Sequence, residues 1–92
     1  MSVTVGATTF DRVVYDAEGD VMYLHVGDPA TAVDFEESPE GHALRFDHHG
    51  RLVGLTIVGV RHLLDQDTPI VVTVPERIEV DPAVLASAVT AA

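Results

Sequence analysis

The chain contains no cysteine, so neither a disulfide frame nor a thiolate metal site can be built from it. Lysine is absent as well: all five basic residues are arginine, set against 15 acidic ones for a net charge of −10. Nucleic-acid phosphate demands a positive field that this balance cannot supply, so no nucleic-acid partner is expected. Anionic membrane surfaces are disfavoured on the same ground. No apolar run approaches the length needed to cross a bilayer. Met1-Ser2-Val3-Thr4 lacks the basic segment and apolar block of a secretion signal, so a cytosolic location is expected. The acidity suits a basic protein partner, although solubility is the plainer account of it.

Catalytic signatures are missing too. A nucleophile would have to be Ser2, Ser38, Ser87 or a threonine, and none sits in a glycine-flanked elbow. Gly54 and Gly59 fall inside an apolar stretch rather than ahead of a helix, so they form no phosphate loop. Close packing or a bulge is the expected reason for them.

What the chain does have is apolar surface. Hydrophobic residues make up 47% of it and the mean hydropathy is +0.23. Its 92 residues are expected to form one domain, 1–92, able to bury roughly 60–65% of its extended surface. A surplus of apolar groups in so short a chain is commonly resolved by self-association, and a homodimer is expected.

The dominant pattern is a duplication. Tyr15-Asp16-Ala17-Glu18-Gly19-Asp20 is followed by the apolar run Val21-Met22-Tyr23-Leu24-His25-Val26. Phe46-Asp47-His48-His49-Gly50-Arg51, then Leu52-Val53-Gly54-Leu55-Thr56-Ile57, repeats the arrangement 31 positions on, from 15 to 46. In Asp-x-x-Gly the carboxylate accepts backbone N–H groups two or three residues later. The glycine is then expected to supply the positive φ that releases the second strand. Each copy therefore predicts a β-hairpin, the first over 10–26 and the second over 42–60. Alternation puts Met22, Leu24 and Val26 on one face with Val53, Leu55 and Ile57, and Leu44 with Phe46. Val21, Tyr23 and His25 share the other face with Leu52, Gly54, Thr56 and Val58. Both faces carry apolar groups, which predicts a helix over one and a partner chain or loop over the other.

Around the hairpins the pattern is weaker. Residues 1–9 either fray or add a short edge strand through Val3 and Val5. Residues 31–37 alternate, with Val33 and Phe35 on one side, and read as an edge strand blunted by Asp34, Glu36 and Glu37. Residues 61–67 form one or two helical turns. Residues 69–75 read as a proline-bounded edge strand, extended by 77–80. Asp81 as N-cap and Pro82 at the first helical position open a C-terminal helix, with Leu85, Ala88, Val89 and Ala92 as its apolar stripe. The fold class expected is α+β: an antiparallel sheet of five or six strands, built from two repeated hairpins plus edge strands, with a short C-terminal helix.

At Tyr15-Asp16-x-x-x-Asp20-x-Met22-Tyr23-Leu24 and Phe46-Asp47-x-x-Gly50-x-Leu52-Val53-Gly54-Leu55 the chain resembles the domain of unknown function 2283 family. These are small prokaryotic proteins with Tyr-Asp-x-x-x-Asp-x-Leu-Tyr-Ile, then Asp-x-x-Gly and Val-Gly-Ile. The resemblance covers about residues 10–65 and leaves the tail from Pro69 outside. Met22 replaces the usual leucine, and His48-His49 stands where acids are common. The resemblance implies the β core and no established activity. Some members sit beside small toxin-like genes, which implies an antitoxin-like role.

Asp16 and Asp20 flank the first turn and can offer two carboxylates to a divalent ion. The structural alternative is that Asp16 closes the turn while Asp20 opens the outgoing strand and pairs with Arg12 or Arg51. The second copy favours this, because Arg51 stands where Asp20 does. His48 and His49, adjacent on a turn, are expected to diverge rather than share an ion. His25 or His42, if brought near Asp16 or Asp20, would make an acid/base or metal site. His62 is expected to face solvent. The reading favoured is a non-enzymatic domain acting by self-association or protein binding, with no catalytic, cofactor or metal residue assigned. The alternative is a small metal-dependent enzyme using Asp16, Asp20 and a strand histidine.

Overall fold

The computed structural model describes residues 2–66, 70–74, 76–80 and 82–91. In chain order the strands are β1 (Val3–Val5), β2 (Thr8–Phe10), β3 (Arg12–Asp16), β4 (Val21–His25), β5 (Asp34–Glu37), β6 (Ala43–Phe46) and β7 (Leu52–Val58). Helix α1 (Val60–Asp65) follows, then β8 (Ile70–Val74), β9 (Glu76–Val80) and helix α2 (Pro82–Ala91). The duplicated hairpins, β3–β4 and β6–β7, pair through their outgoing strands. With β5 at one edge they make a five-stranded antiparallel sheet in the order β3-β4-β7-β6-β5. The α+β expectation holds, as does the polar edge strand.

Both turns close as Asx turns, but their left-handed residues differ. In the second, Asp47 Oδ1 accepts the N–H groups of His49 (2.9 Å) and Arg51 (3.0 Å), and Gly50 takes φ 76° as expected. In the first, Asp16 Oδ1 accepts the N–H groups of Glu18 (3.1 Å) and Gly19 (3.3 Å). There the positive φ, 53°, belongs to Asp20 and not to Gly19. The reason lies across the fold, where the Asp20 carbonyl accepts Gly59 N–H (2.9 Å) and Val60 N–H (3.3 Å) at the start of α1. Aspartate is among the few residues that tolerate this backbone region.

The alternation sorts most of the sheet as expected, but a register shift between Arg45 and Phe46 pairs Leu52 with Phe46 and packs it against the core instead of the outer face. Met22, Leu24, Leu44, Leu55 and Ile57 are all buried on one face. Over that face lie elements the sequence placed differently. Residues 3–10 are a hairpin of their own, with Val3 opposite Phe10 and Val5 opposite Thr8, and Phe10 therefore stands outside the first repeat. Val3, Val5 and Phe10 belong to the same core cluster as the sheet residues. Residues 77–80 do not extend β8; they return as β9, antiparallel to it, with Ile70 opposite Val80. Helix α2 buries Leu85 and Ala88 on its predicted stripe and touches β1, β3 and α1. Asp81 and Ala92, the predicted N-cap and the end of that stripe, lie outside the described residues. Gly59 sits past the strand end as the N-cap of α1, with φ 72°.

Candidate functional site

Among the described residues the second face of the sheet is the more exposed one, and its side chains fall in rows set by the strand register. Arg12, His25, Gly54, Arg45 and Phe35 form one row across all five strands. Val14, Tyr23, Thr56, Ala43 and Glu37 form the next, and Asp16, Val21 and Val58 a third. Four apolar side chains stand out from this face: Phe35 is 67% exposed, Val14 61%, Val58 52% and Tyr23 45%.

The first row is different in kind. His25 is only 9% exposed, and among the described residues neither of its ring nitrogens has a hydrogen-bond partner. Arg45 Nε is buried and unpaired in the same sense, while its guanidinium lies 5.1 Å from the centre of the Phe35 ring. A buried polar group without a partner costs about 1–3 kcal/mol. Gly54, between them, is what permits the convergence. A Cβ there would stand 3.0 Å from Arg45 Cβ and 3.1 Å from His25 Cδ2. An open recess of about 530 Å³ lies over this row, bordered by Arg12, Val14, Tyr23 and Thr56. At its rim the Asp11 carboxylate accepts Gly27 N–H at 2.8 Å, which holds its pKa below the ordinary value, aided by the charges of Arg12 and His25.

The residues singled out as a metal or acid/base set are not brought together. Asp16 is occupied by its own turn. Asp20 does not pair with Arg12 or Arg51: its carboxylate accepts Tyr15 O–H (2.7 Å) and Arg61 N–H (3.0 and 3.2 Å). Partial burial pushes the Asp20 pKa up, and those donors with the Arg61 charge more than reverse it. The same hydrogen bond pushes the Tyr15 hydroxyl up. Arg51 pairs with Asp47 instead, Nε to Oδ2 at 3.0 Å. His25 stands at the open end of the first hairpin, four residues or roughly 13 Å along the strand from the turn. Among the described residues no three His, Asp or Glu side chains cluster as a metal site would require. His48 and His49 do not diverge, because their rings lie 3.9 Å apart, tilted by 41°. His62 is exposed, as expected, with Nε2 3.2 Å from Gln66 Nε2.

The Asp20 carboxylate at the end of the first turn holds the Arg61 amide, tying the first hairpin to the start of α1. The family described as "Protein of unknown function (DUF2283)" matches residues 12–61, more than half of the chain. The chain belongs to the DUF2283 family. No curated protein and no solved structure matches it. The DUF2283 span holds the whole five-stranded sheet and the start of α1, while β1, β2, β8, β9 and α2 lie outside it and cover its inner face. The Arg12–His25–Gly54–Arg45 row falls entirely within the span. Sequence reading missed this row as a unit. The signal that could have found it is a glycine flanked in register by two long cationic or aromatic side chains.

His42 is buried (4% exposed) just before β6, and its Nδ1 accepts Val58 N–H at 3.3 Å. The His42 backbone N–H donates to Ser38 Oγ at 3.1 Å. Burial lowers its pKa from 6.5, and the Glu40 charge opposes this only in part. The unfolded chain therefore takes up a proton before the folded one does. Stability from this residue is complete above 6.5 and falls as the pH drops toward the lowered folded-state value. Thermal melts should show the wild-type Tm declining across that window, with a flatter profile for His42→Gln. Parallel profiles for the two proteins would contradict this account of the His42 ring.

Proposed function

We propose that this protein is a non-catalytic cytosolic binding domain whose working surface is the more exposed face of the five-stranded sheet, and that its first partner is a second copy of itself. One observation carries the reading. Val14, Tyr23, Phe35 and Val58 are all about half exposed or more on a single sheet face, while the opposite face is almost fully buried. Large apolar groups gathered on one face mark an interaction surface more often than a chance pattern. In a chain of net charge −10, Arg12 and Arg45 on this face offset Asp16 and Glu37 in the other two rows, so the three rows add no net charge to oppose the approach of a second copy. A basic partner would be drawn to the acidic edge at Asp34, Glu36 and Glu37 instead. The antitoxin-like role implied by the family resemblance would be one form of such binding. The metal-dependent alternative is not favoured, because the Asp16 and Asp20 carboxylates are engaged by backbone N–H groups.

Sedimentation or light scattering over a wide concentration range tests this reading. The expected result is a dimer for the wild type and a monomer for Val58→Glu, which puts a charge in the third row without touching the buried core. A wild type that stays monomeric at all concentrations, or a Val58→Glu variant of unchanged mass, would remove it.

A further inference from the structure

We propose that the recess over the Arg12–His25–Gly54–Arg45 row is a binding site for an organic carboxylate, with Arg12, His25 and Arg45 receiving the anionic group and Val14 and Tyr23 the apolar body. The recess is lined by one copy of the chain but lies on the face proposed for self-association and shares Val14 and Tyr23 with it, so the closing titration is also run on a variant designed to stay monomeric.

Buried polar side chains are nearly always hydrogen-bonded. Here two members of one row, on either side of Gly54, are not: both ring nitrogens of His25 and Nε of Arg45 lack partners among the described residues. Arg45 Nε can only donate, and an imidazole offers one or two N–H donors. Arg45 Nε and at least one His25 ring N–H therefore lack an acceptor. Gly54 has the form such a site needs, since any Cβ at that position would press on both side chains.

The charge argument points the same way. Among the described residues the single ion pair is Arg51–Asp47, and Arg61 lies over the Tyr15 ring beside Asp20. Among the described residues Arg12 and Arg45 are in no ion pair, and both border this recess. A planar carboxylate matches the guanidinium fork with its two oxygens. Asp11 at the rim selects against a second negative charge, so a monoanion fits better than a phosphate. The apolar side of the recess, formed by Val14 and Tyr23, then suits a hydrocarbon body, and about 530 Å³ is within the range of small-molecule sites.

The test titrates the protein with hexanoate, with hexanamide as the uncharged control and inorganic phosphate as the competing anion, followed by nitrogen–proton correlation NMR. Hexanoate should shift the signals of His25, Gly54 and Tyr23 to saturation, while hexanamide and phosphate at the same concentration leave them in place. Arg12→Gln and Arg45→Gln should each weaken binding by about tenfold or more, as loss of a charged hydrogen-bond donor does. Arg12 is exposed, so Arg12→Gln serves if Arg45→Gln does not fold. Running the same titration on Val58→Glu separates the site from any assembly: shifts in that variant alone support a recess covered by a second copy. Silence toward hexanoate in both proteins overturns the proposal. So does an equal response to hexanamide or phosphate, or wild-type affinity in folded Arg12→Gln.

Discussion

Replacing Phe10 with alanine is expected to destabilise the protein by about 3–5 kcal/mol, the range for emptying a large aromatic site in a packed core. Phe10 is 0% exposed and pairs across the N-terminal ribbon with Val3, itself only 3% exposed. Strand β1 touches α2 and β2 touches β7, so the ribbon is wedged between the helix and the sheet. Truncating the ring would leave a cavity bounded by elements that are each held by other contacts and cannot collapse into it. Urea denaturation provides the measurement, with the midpoint falling at unchanged slope. Thr9→Ala, at an exposed position of the same strand, should change stability by less than about 0.5 kcal/mol. A loss below about 1 kcal/mol for Phe10→Ala would mean that the ribbon frays, as residues 1–9 alone leave open.

The contrast shows which physics can be read along one chain. Period-two alternation depends only on neighbours in sequence, and it sorted Met22, Leu24, Leu55 and Ile57 to the inner face correctly. Edge character is also local, being a matter of charge at Asp34, Glu36 and Glu37. The N-terminal ribbon was opaque because its strands have three residues each, too short for alternation to register. Strand β9 was opaque because Ile78 and Val80 continue the β-branched pattern of β8, and nothing in that pattern marks a reversal. The binding row was half legible: alternation put His25 and Gly54 on one face, but Arg12 and Arg45 join them only through a register spanning four strands. The stacking of His48 on His49 depends on side-chain torsions within the turn and leaves no trace in spacing.

The left-handed residue of the first turn is the sharpest case, and it supports the second large prediction. A repeat argument transfers the role of Gly50 to Gly19, yet Gly19 keeps an ordinary φ and Asp20 takes the strained one. The second copy has no counterpart to α1 beside its turn, so Arg51 simply pairs back to Asp47. Asp20 instead reaches out of the repeat to the start of α1, where Gly59 provides no side-chain cap of its own. Asp20→Ala should therefore lose a helix cap, leave the Tyr15 hydroxyl without its acceptor and place a β-carbon in the left-handed region without compensation. Together these cost about 2–3 kcal/mol. Asp20→Gly relieves the backbone but not the missing carboxylate, and Asp20→Asn keeps both the backbone tolerance and one acceptor, so the order of stability should be wild type, Asn, Gly, Ala. The pH profile supplies an independent check. Because the folded-state pKa of Asp20 lies below its ordinary 3.8, its contribution is full above that value and is lost as the pH falls through the lowered one. Asp20→Asn should remove that part of the acid limb. If Asp20→Ala proved as stable as Asp20→Asn, or if its α1 amides exchanged no faster than in the wild type, the carboxylate would not be holding the helix and the first turn would owe its shape to Asp16 alone.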